Sequence, residues 1–309
     1  MSRHRSAAPP TPESRWARLL TERRHPRSRR LDRMTTADTV GLLLDEDRLA
    51  LLAVARERVT IARAADLAAE TLEQGGEIVL LGAGSSGRLA VLEAAECPPT
   101  FGSDPRRIRA VMAGGEGAVF RAVEGAEDRE DVGRREGRRL RRKDLLVGIS
   151  ASSVTPYVRG ALAAAHAKRA RTVLVTCAPD PGLRGLADVV VAIATGPEVL
   201  TGSTRLKAGS ATKAVLNAIT TAAMIRLGKV YENLMVDLKQ TSKKLEDRAR
   251  RIVAAAARVS VARAEALLIA GGDVKTAIVM GRLGVGATEA RRRLAKARGH
   301  VRLALGEPG

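Results

Sequence analysis

A chain of 309 residues, 45% apolar but only 2% aromatic, can build one large domain or a core with an appendage, packed by Ala, Val and Leu. No apolar run approaches the roughly eighteen residues of a membrane-spanning helix, and two cysteines with four scattered histidines offer neither a disulfide framework nor a zinc cluster. The formal net charge of +19 gathers in short stretches without interleaved aromatics, which suits non-specific polyanion attraction better than nucleic-acid reading. A cytoplasmic chain is expected, because the first residues also lack a secretory apolar segment.

Met1–Arg33 holds ten basic residues against three acidic ones, and residues 1–30 read as a basic, flexible arm. Apolar residues then recur at helical spacing, predicting helices over about Thr36–Leu44 and Glu46–Glu73, the second stopped by Gly75-Gly76. Glu77–Leu81 is a short apolar run with β-branched residues at its centre, the signature of a buried parallel strand. It runs directly into Gly82-Ala83-Gly84-Ser85-Ser86-Gly87 and a helical pattern from Arg88 to Ala95. A strand, a small-residue loop and a helix N-terminus present backbone N–H groups and hydroxyls to an anion. The two serines favour a phosphomonoester over a dinucleotide, and no acidic residue follows a second strand to hold a ribose.

Glu96 precedes Cys97-Pro98-Pro99, so the helix is expected to stop there, with a carboxylate poorly placed for the dipole. Glu116, Glu124, Glu127 and Asp128 crowd into the next segment; a solvated acidic helix face is the plainer reading of their spacing. Arg109–Met112 and Leu145–Ile149 read as strands. The second leads into Ser150-Ala151-Ser152-Ser153-Val154-Thr155 and a helix opening at Pro156, with Thr155 as N-cap. That is a second hydroxyl-rich loop at a helix mouth, able to converge with the first on one phosphate. Thr172–Thr176 and Val189–Ile193 follow as strands. Arg205 and Lys207 stand among small and hydroxyl residues that suit a sugar-phosphate rim or, equally, pairing with Glu198 or Asp237. From Ser242 four helical patterns (245–259, 262–270, 274–281, 287–297) read as an all-helical C-terminal subdomain over 242–309, leaving 31–241 as the α/β unit.

LGAGSSGRLAVLEAAECPPTFG, AVEGAED, TPYV and GPEVLTGSTRLKAGSATKAVLN resemble the N-acetylmuramic acid 6-phosphate etherases. These are bacterial enzymes of the sugar-isomerase (SIS) type, related to the glucokinase regulatory proteins. The resemblance runs from Leu31-Asp32-Arg33-Met34 to the C-terminal helices. It implies a SIS-type parallel sheet flanked by helices, a homodimer with sites near the interface, and no metal or organic cofactor. It also implies Ser85, Ser86, Ser150, Ser152, Thr155 and Lys207 as ligands of a sugar phosphate, Glu96 as the acid that protonates departing lactate, and Glu127 as the base at carbon 2. Two positions depart from the family pattern: His25 stands where Asn is usual, and Ser153-Val154 where Gly-Arg is usual. A residue other than glycine constrains a loop that needs positive φ.

The substrate so implied dictates the chemistry. An alkoxide of lactate is a poor leaving group, but in the open-chain aldehyde the carbonyl acidifies the proton at carbon 2, so elimination is easier than hydrolysis. One ionised and one protonated carboxyl suffice. The other readings kept open are a non-catalytic sugar-phosphate-binding regulator, whose known members carry a duplicated SIS region not seen here, and a sugar-phosphate isomerase.

Overall fold

The computed structural model describes residues 19–178, 181–239 and 242–308. Five strands, β1 (Ile78–Gly82), β2 (Ile108–Met112), β3 (Leu145–Ile149), β4 (Arg171–Thr176) and β5 (Val189–Ala192), form one parallel sheet in the order β2-β1-β3-β4-β5. The chain leaves β1 to one side for β2 and returns to its other side for β3. The crevice beyond the carboxyl ends of β1 and β3 is therefore the topological switch point, where such sheets bind ligands.

Helices cover both faces, which is why β1 and β3 are buried at every position. Ile78, Leu80, Leu145, Val147 and Ile149 pack against α1 (Thr36–Arg56), α2 (Arg58–Glu73), α3 (Gly84–Phe101) and a long later helix. Val79, Leu81, Leu146 and Leu174 face the opposite layer. In chain order the further helices are α4 (Gly117–Phe120), α5 (Glu130–Arg138), α6 (Pro156–Ala167), α7 (Pro181–Arg184) and α8 (Lys207–Arg226), the last completing the first layer. A two-residue-per-strand hairpin, β6 (Val230–Tyr231) and β7 (Leu234–Met235), leads to α9 (Lys243–Ala257), α10 (Val261–Gly271), α11 (Val274–Leu283), α12 (Ala287–Lys296) and α13 (Val301–Ala304). These build their own core around Val253, Leu267, Ile278 and Leu294, joined by Tyr231 and Val236. Ser242, Ser260 and Asp273 start α9, α10 and α11 by accepting from the N–H of Leu245, Arg263 and Thr276.

Three expectations change. The break predicted at Asp45 falls at Glu57, because Glu46 lies on the buried stripe of α1 with Leu42, Ala50 and Ala53 and is held from other elements. The proposed arm is docked in its downstream part: residues 20–33 form three 3-10 turns, Thr21 and His25 are buried, and Gly202 N–H donates to the Thr21 carbonyl. Residues 1–18 of that arm lie outside the described residues. Finally, α3 does not stop at Glu96 but continues through Pro98 and Pro99 to Phe101. Buried Cys97 and Phe101 anchor this last stretch to the core, and Gly102, at φ +62°, ends the helix by donating to the Pro98 carbonyl.

Candidate active site

β1 and β3 are in register with Gly82 beside Ile149, so the loops that follow leave the sheet side by side. In the first loop α3 begins almost without a connection. A Cβ on Gly82 would lie 2.8 Å from the Gly87 nitrogen, and one on Gly87 would lie 2.7 Å from Met112 Cγ. Only glycines let the helix start this close to the strand, and its free N–H groups then point over the sheet edge. Ser85 and Ser86 stand half-buried in that first turn, and neither hydroxyl bonds to another described residue. In the second loop Ser150 is buried, with its Oγ 2.8 Å from Thr155 Oγ1. Thr155 occupies the expected N-cap position, but its side chain engages Ser150 rather than the helix backbone. Ser152 is half-buried nearby, and Ser153 takes φ +62° while its N–H donates to the Ser150 carbonyl at 3.1 Å. The loop thus keeps the left-handed residue that a glycine would supply more cheaply.

Glu127 is exposed on a short 3-10 turn (Ala126–Asp128) that packs against α6. Two residues beyond that turn, Glu130 accepts from the Arg159 guanidinium of α6, so Glu127 is carried at the α6 end of the second loop. Glu124 precedes the left-handed Gly125 and does not share a helix face with Glu127, contrary to expectation. Glu96 is exposed far down α3, ten residues and about 15 Å along the axis from Ser86. A cavity of about 910 Å³ runs beside edge strand β2; Ala95, Pro105 and Ile108 line it, as do Glu124 and Ala126.

Lys207, expected among the sugar-phosphate ligands, is engaged inside the protein. It is 3% exposed, and its Nζ donates to Glu46 Oε2 at 2.7 Å. Glu46 also meets His25 Nε2 at 3.2 Å, and Glu198 accepts from the backbone N–H groups of Lys207 and Ala208, capping α8. Burial disfavours the Glu46 charge, but the Lys207 bond and charge outweigh it and hold the carboxyl below its ordinary value. Lys207 is a buried structural cation, paired with neither of the carboxylates anticipated for it. Among the described residues no group of three or more His, Cys, Asp or Glu side chains could hold a metal ion, and no helix is long and apolar enough to cross a membrane.

This geometry has close relatives. An N-acetylmuramic acid 6-phosphate etherase from Rubrobacter xylanophilus is 48% identical over 298 residues, 96% of this chain and 98% of the relative. One from Mycolicibacterium smegmatis is 46% identical over 291 residues, 93% of this chain and 98% of the relative. The chain belongs to the N-acetylmuramic acid 6-phosphate etherase family. A profile for the N-terminal SIS domain of glucokinase regulatory protein matches residues 60–166 alone, whereas the etherase likeness spans nearly the whole chain. A phosphoheptose isomerase structure from Francisella tularensis superposes with TM-score 0.50 at 18% identity, covering 62% of this chain and all of that one, which shows the SIS fold.

Beside the predicted residues, the etherase fold here holds a further buried carboxylate that the sequence reading missed. Glu93, three residues before Glu96, is 4% exposed and accepts from Lys213 Nζ at 2.7 Å and Thr220 Oγ1 at 2.5 Å, tying α3 to α8. The signal was legible: Ala90, Glu93, Cys97 and Phe101 share the buried stripe of α3, and a carboxylate on such a stripe requires a partner. Burial, then the Glu93 charge, push the Cys97 thiol up to about 12. A run of glycines was also missed. Cβ atoms on Gly133, Gly137 and Gly160 would fall 1.9, 2.3 and 2.3 Å from the carbonyls of Tyr157, Ala161 and Glu130, so α5 and α6 touch backbone to backbone.

Proposed function

We propose that this chain cleaves the D-lactyl ether of N-acetylmuramic acid 6-phosphate, giving N-acetylglucosamine 6-phosphate and D-lactate, as a carbon–oxygen lyase of cell-wall sugar recycling in a cytoplasmic homodimer. The observation that carries the reading is the register of Gly82 with Ile149, which sets two hydroxyl-bearing helix mouths side by side at the switch point. Membership of the etherase family selects the substrate. Ser85, Ser86, Ser152 and the Ser150–Thr155 pair hold the phosphate, aided by the N-termini of α3 and α6. Phosphate binding energy fixes the opened sugar for a reaction several bonds away.

Glu127 takes the proton from carbon 2. The electron pair of that C–H bond is first held as the enolate of the aldehyde; it then returns to form the second bond between carbons 2 and 3 as the bond from carbon 3 to oxygen breaks. Its pair leaves on the lactate oxygen, which takes a proton from the Glu96 carboxyl. Water then adds its hydroxyl to carbon 3 and a proton goes to carbon 2, turning the unsaturated aldehyde into the saturated one. Reaction in ¹⁸O water tests this: unlabelled D-lactate with label at carbon 3 of the sugar is expected. Label in lactate, or no lactate at all, removes the mechanism. Glu127→Gln should lose both lactate release and solvent exchange at carbon 2, while Glu96→Gln should lose release and keep exchange.

A further inference from the structure

The turn that carries Glu127 packs on α6 at one side and hangs at the other from the loop before it. Residues 114–125 cross from β2 to that turn between left-handed glycines, Gly114 and Gly115 at φ +85° and +73° and Gly125 at φ +73°. Only the four residues of α4 are helical between them. A helix this short does not hold itself in water, so its place must be fixed from outside. Phe120, its last residue, is 88% exposed and anchors nothing. Among the described residues, the loop's backbone hydrogen bonds stay within 112–128, and the bonds that reach it from another helix come from one side chain, Arg88 of α3. Arg88 Nε donates to the Val119 carbonyl and Nη2 to the Ala118 carbonyl, each at 2.9 Å. Both carbonyls lie in the last turn of α4, where the helix supplies no donor and its dipole favours a cation.

We infer that Arg88 is the positioning residue of Glu127: it latches residues 114–125 to the first turn of α3 and so fixes the base relative to the phosphate-binding serines. This rests on the function proposed above and adds to it the group that holds the base in place. The path from latch to base is continuous. Ala118 is buried, and a Cβ on Gly114 would lie 3.0 Å from Ala118 Cβ and 3.1 Å from Val123 Cβ, so both side chains close on Gly114. The Val123 carbonyl accepts from the Ala126 N–H at 3.4 Å, one residue before Glu127. At the other end, Arg88 directly follows Ser85, Ser86 and Gly87. The fork of a guanidinium suits two neighbouring carbonyls, whereas an ammonium is a single point charge on a flexible stem. With Nε and Nη2 engaged on carbonyls, Arg88 acts on carbon 2 of the sugar only through Glu127.

The test compares the wild-type chain with Arg88→Met and Arg88→Lys in three readouts: D-lactate release, solvent exchange at carbon 2, and the dissociation constant of N-acetylglucosamine 6-phosphate. Arg88→Met removes the latch, and a base misplaced by about 1 Å loses on the order of a hundredfold in rate. Release and exchange should fall together by that factor, with the dissociation constant little changed. Arg88→Lys keeps the charge without the fork and should lie closer to Arg88→Met than to the wild type. Gly114→Ala disturbs the same loop by adding a methyl at φ +85° against Ala118 and Val123. It should give the same pattern, and it carries the test if Arg88→Met does not fold. Wild-type rates in Arg88→Met overturn the inference and leave the proposed function standing. Loss of release with exchange intact also overturns it, because the base would then still be in place. So does a large rise in the dissociation constant, which would make Arg88 a phosphate ligand. A wild-type chain that releases no lactate removes the proposed function, and this inference with it.

Discussion

The glycine contact between α5 and α6 yields a prediction whose size follows from the geometry. A methyl group on Gly133 would stand 1.9 Å from the Tyr157 carbonyl oxygen, where carbon–oxygen contacts normally begin near about 3.3 Å. In Gly133→Ala the two helices must therefore part by about 1.4 Å, or Tyr157 must shift its backbone. Overpacking of this kind costs about 1–3 kcal/mol, a fall of roughly 1.5 to 5 °C in melting temperature for a chain of this size. The displacement reaches the site, because the turn bearing Glu127 leads directly into α5 and packs on α6. A misplacement near 1 Å costs on the order of a hundredfold in rate, about 2.7 kcal/mol of barrier. The assay is steady-state D-lactate release together with thermal unfolding. We expect kcat to fall by one to two orders of magnitude and KM to rise as well, because Tyr157 lies two residues after Thr155 of the second serine loop. Gly117→Ala is the control, since its added methyl meets nothing within 4 Å and its φ is not positive. A Gly133→Ala enzyme with wild-type melting and kcat within twofold of the parent would show that the contact is not what positions Glu127.

Glu46→Leu leaves Lys207 buried without its carboxylate and should cost about 3–5 kcal/mol in urea unfolding, most of it regained in the Glu46→Leu/Lys207→Met double variant. Equal stability of the single variant and the parent would mean that water reaches the ammonium. Asp144 is buried, which disfavours its charge, but bonds from the Arg141 side chain and from the N–H groups of Arg141 and Glu77 outweigh this and hold it below the ordinary aspartate value. Its contribution is therefore present above the unfolded-state pKa and lost as pH falls through the lowered folded value. Asp144→Ala should cost about 2–3 kcal/mol at pH 7, with the gap to the parent closing below about pH 4; a pH-independent gap contradicts the linkage. Burial, aided at Cys97 by the Glu93 charge, pushes the two thiols up to about 12 (Cys97) and about 11 (Cys177), so neither should react with a thiol reagent at pH 8 until the chain is unfolded.

The sheet and its two loops were legible because the local pattern is the tertiary fact. A run such as Leu145–Ile149 is apolar at every position only where both faces are covered, and Gly82 and Gly87 are demanded by the closeness of strand and helix. The errors lie where distant atoms decide. The two prolines of α3 signal a stop, yet Cys97 and Phe101 on its buried stripe hold the helix to the core past them. Lys207, among small and hydroxyl residues, reads as a rim cation until Glu46, on another helix, claims it. The glycines of α5 and α6 carry no local signal, since none of the three has a positive φ and each serves only to let another backbone approach.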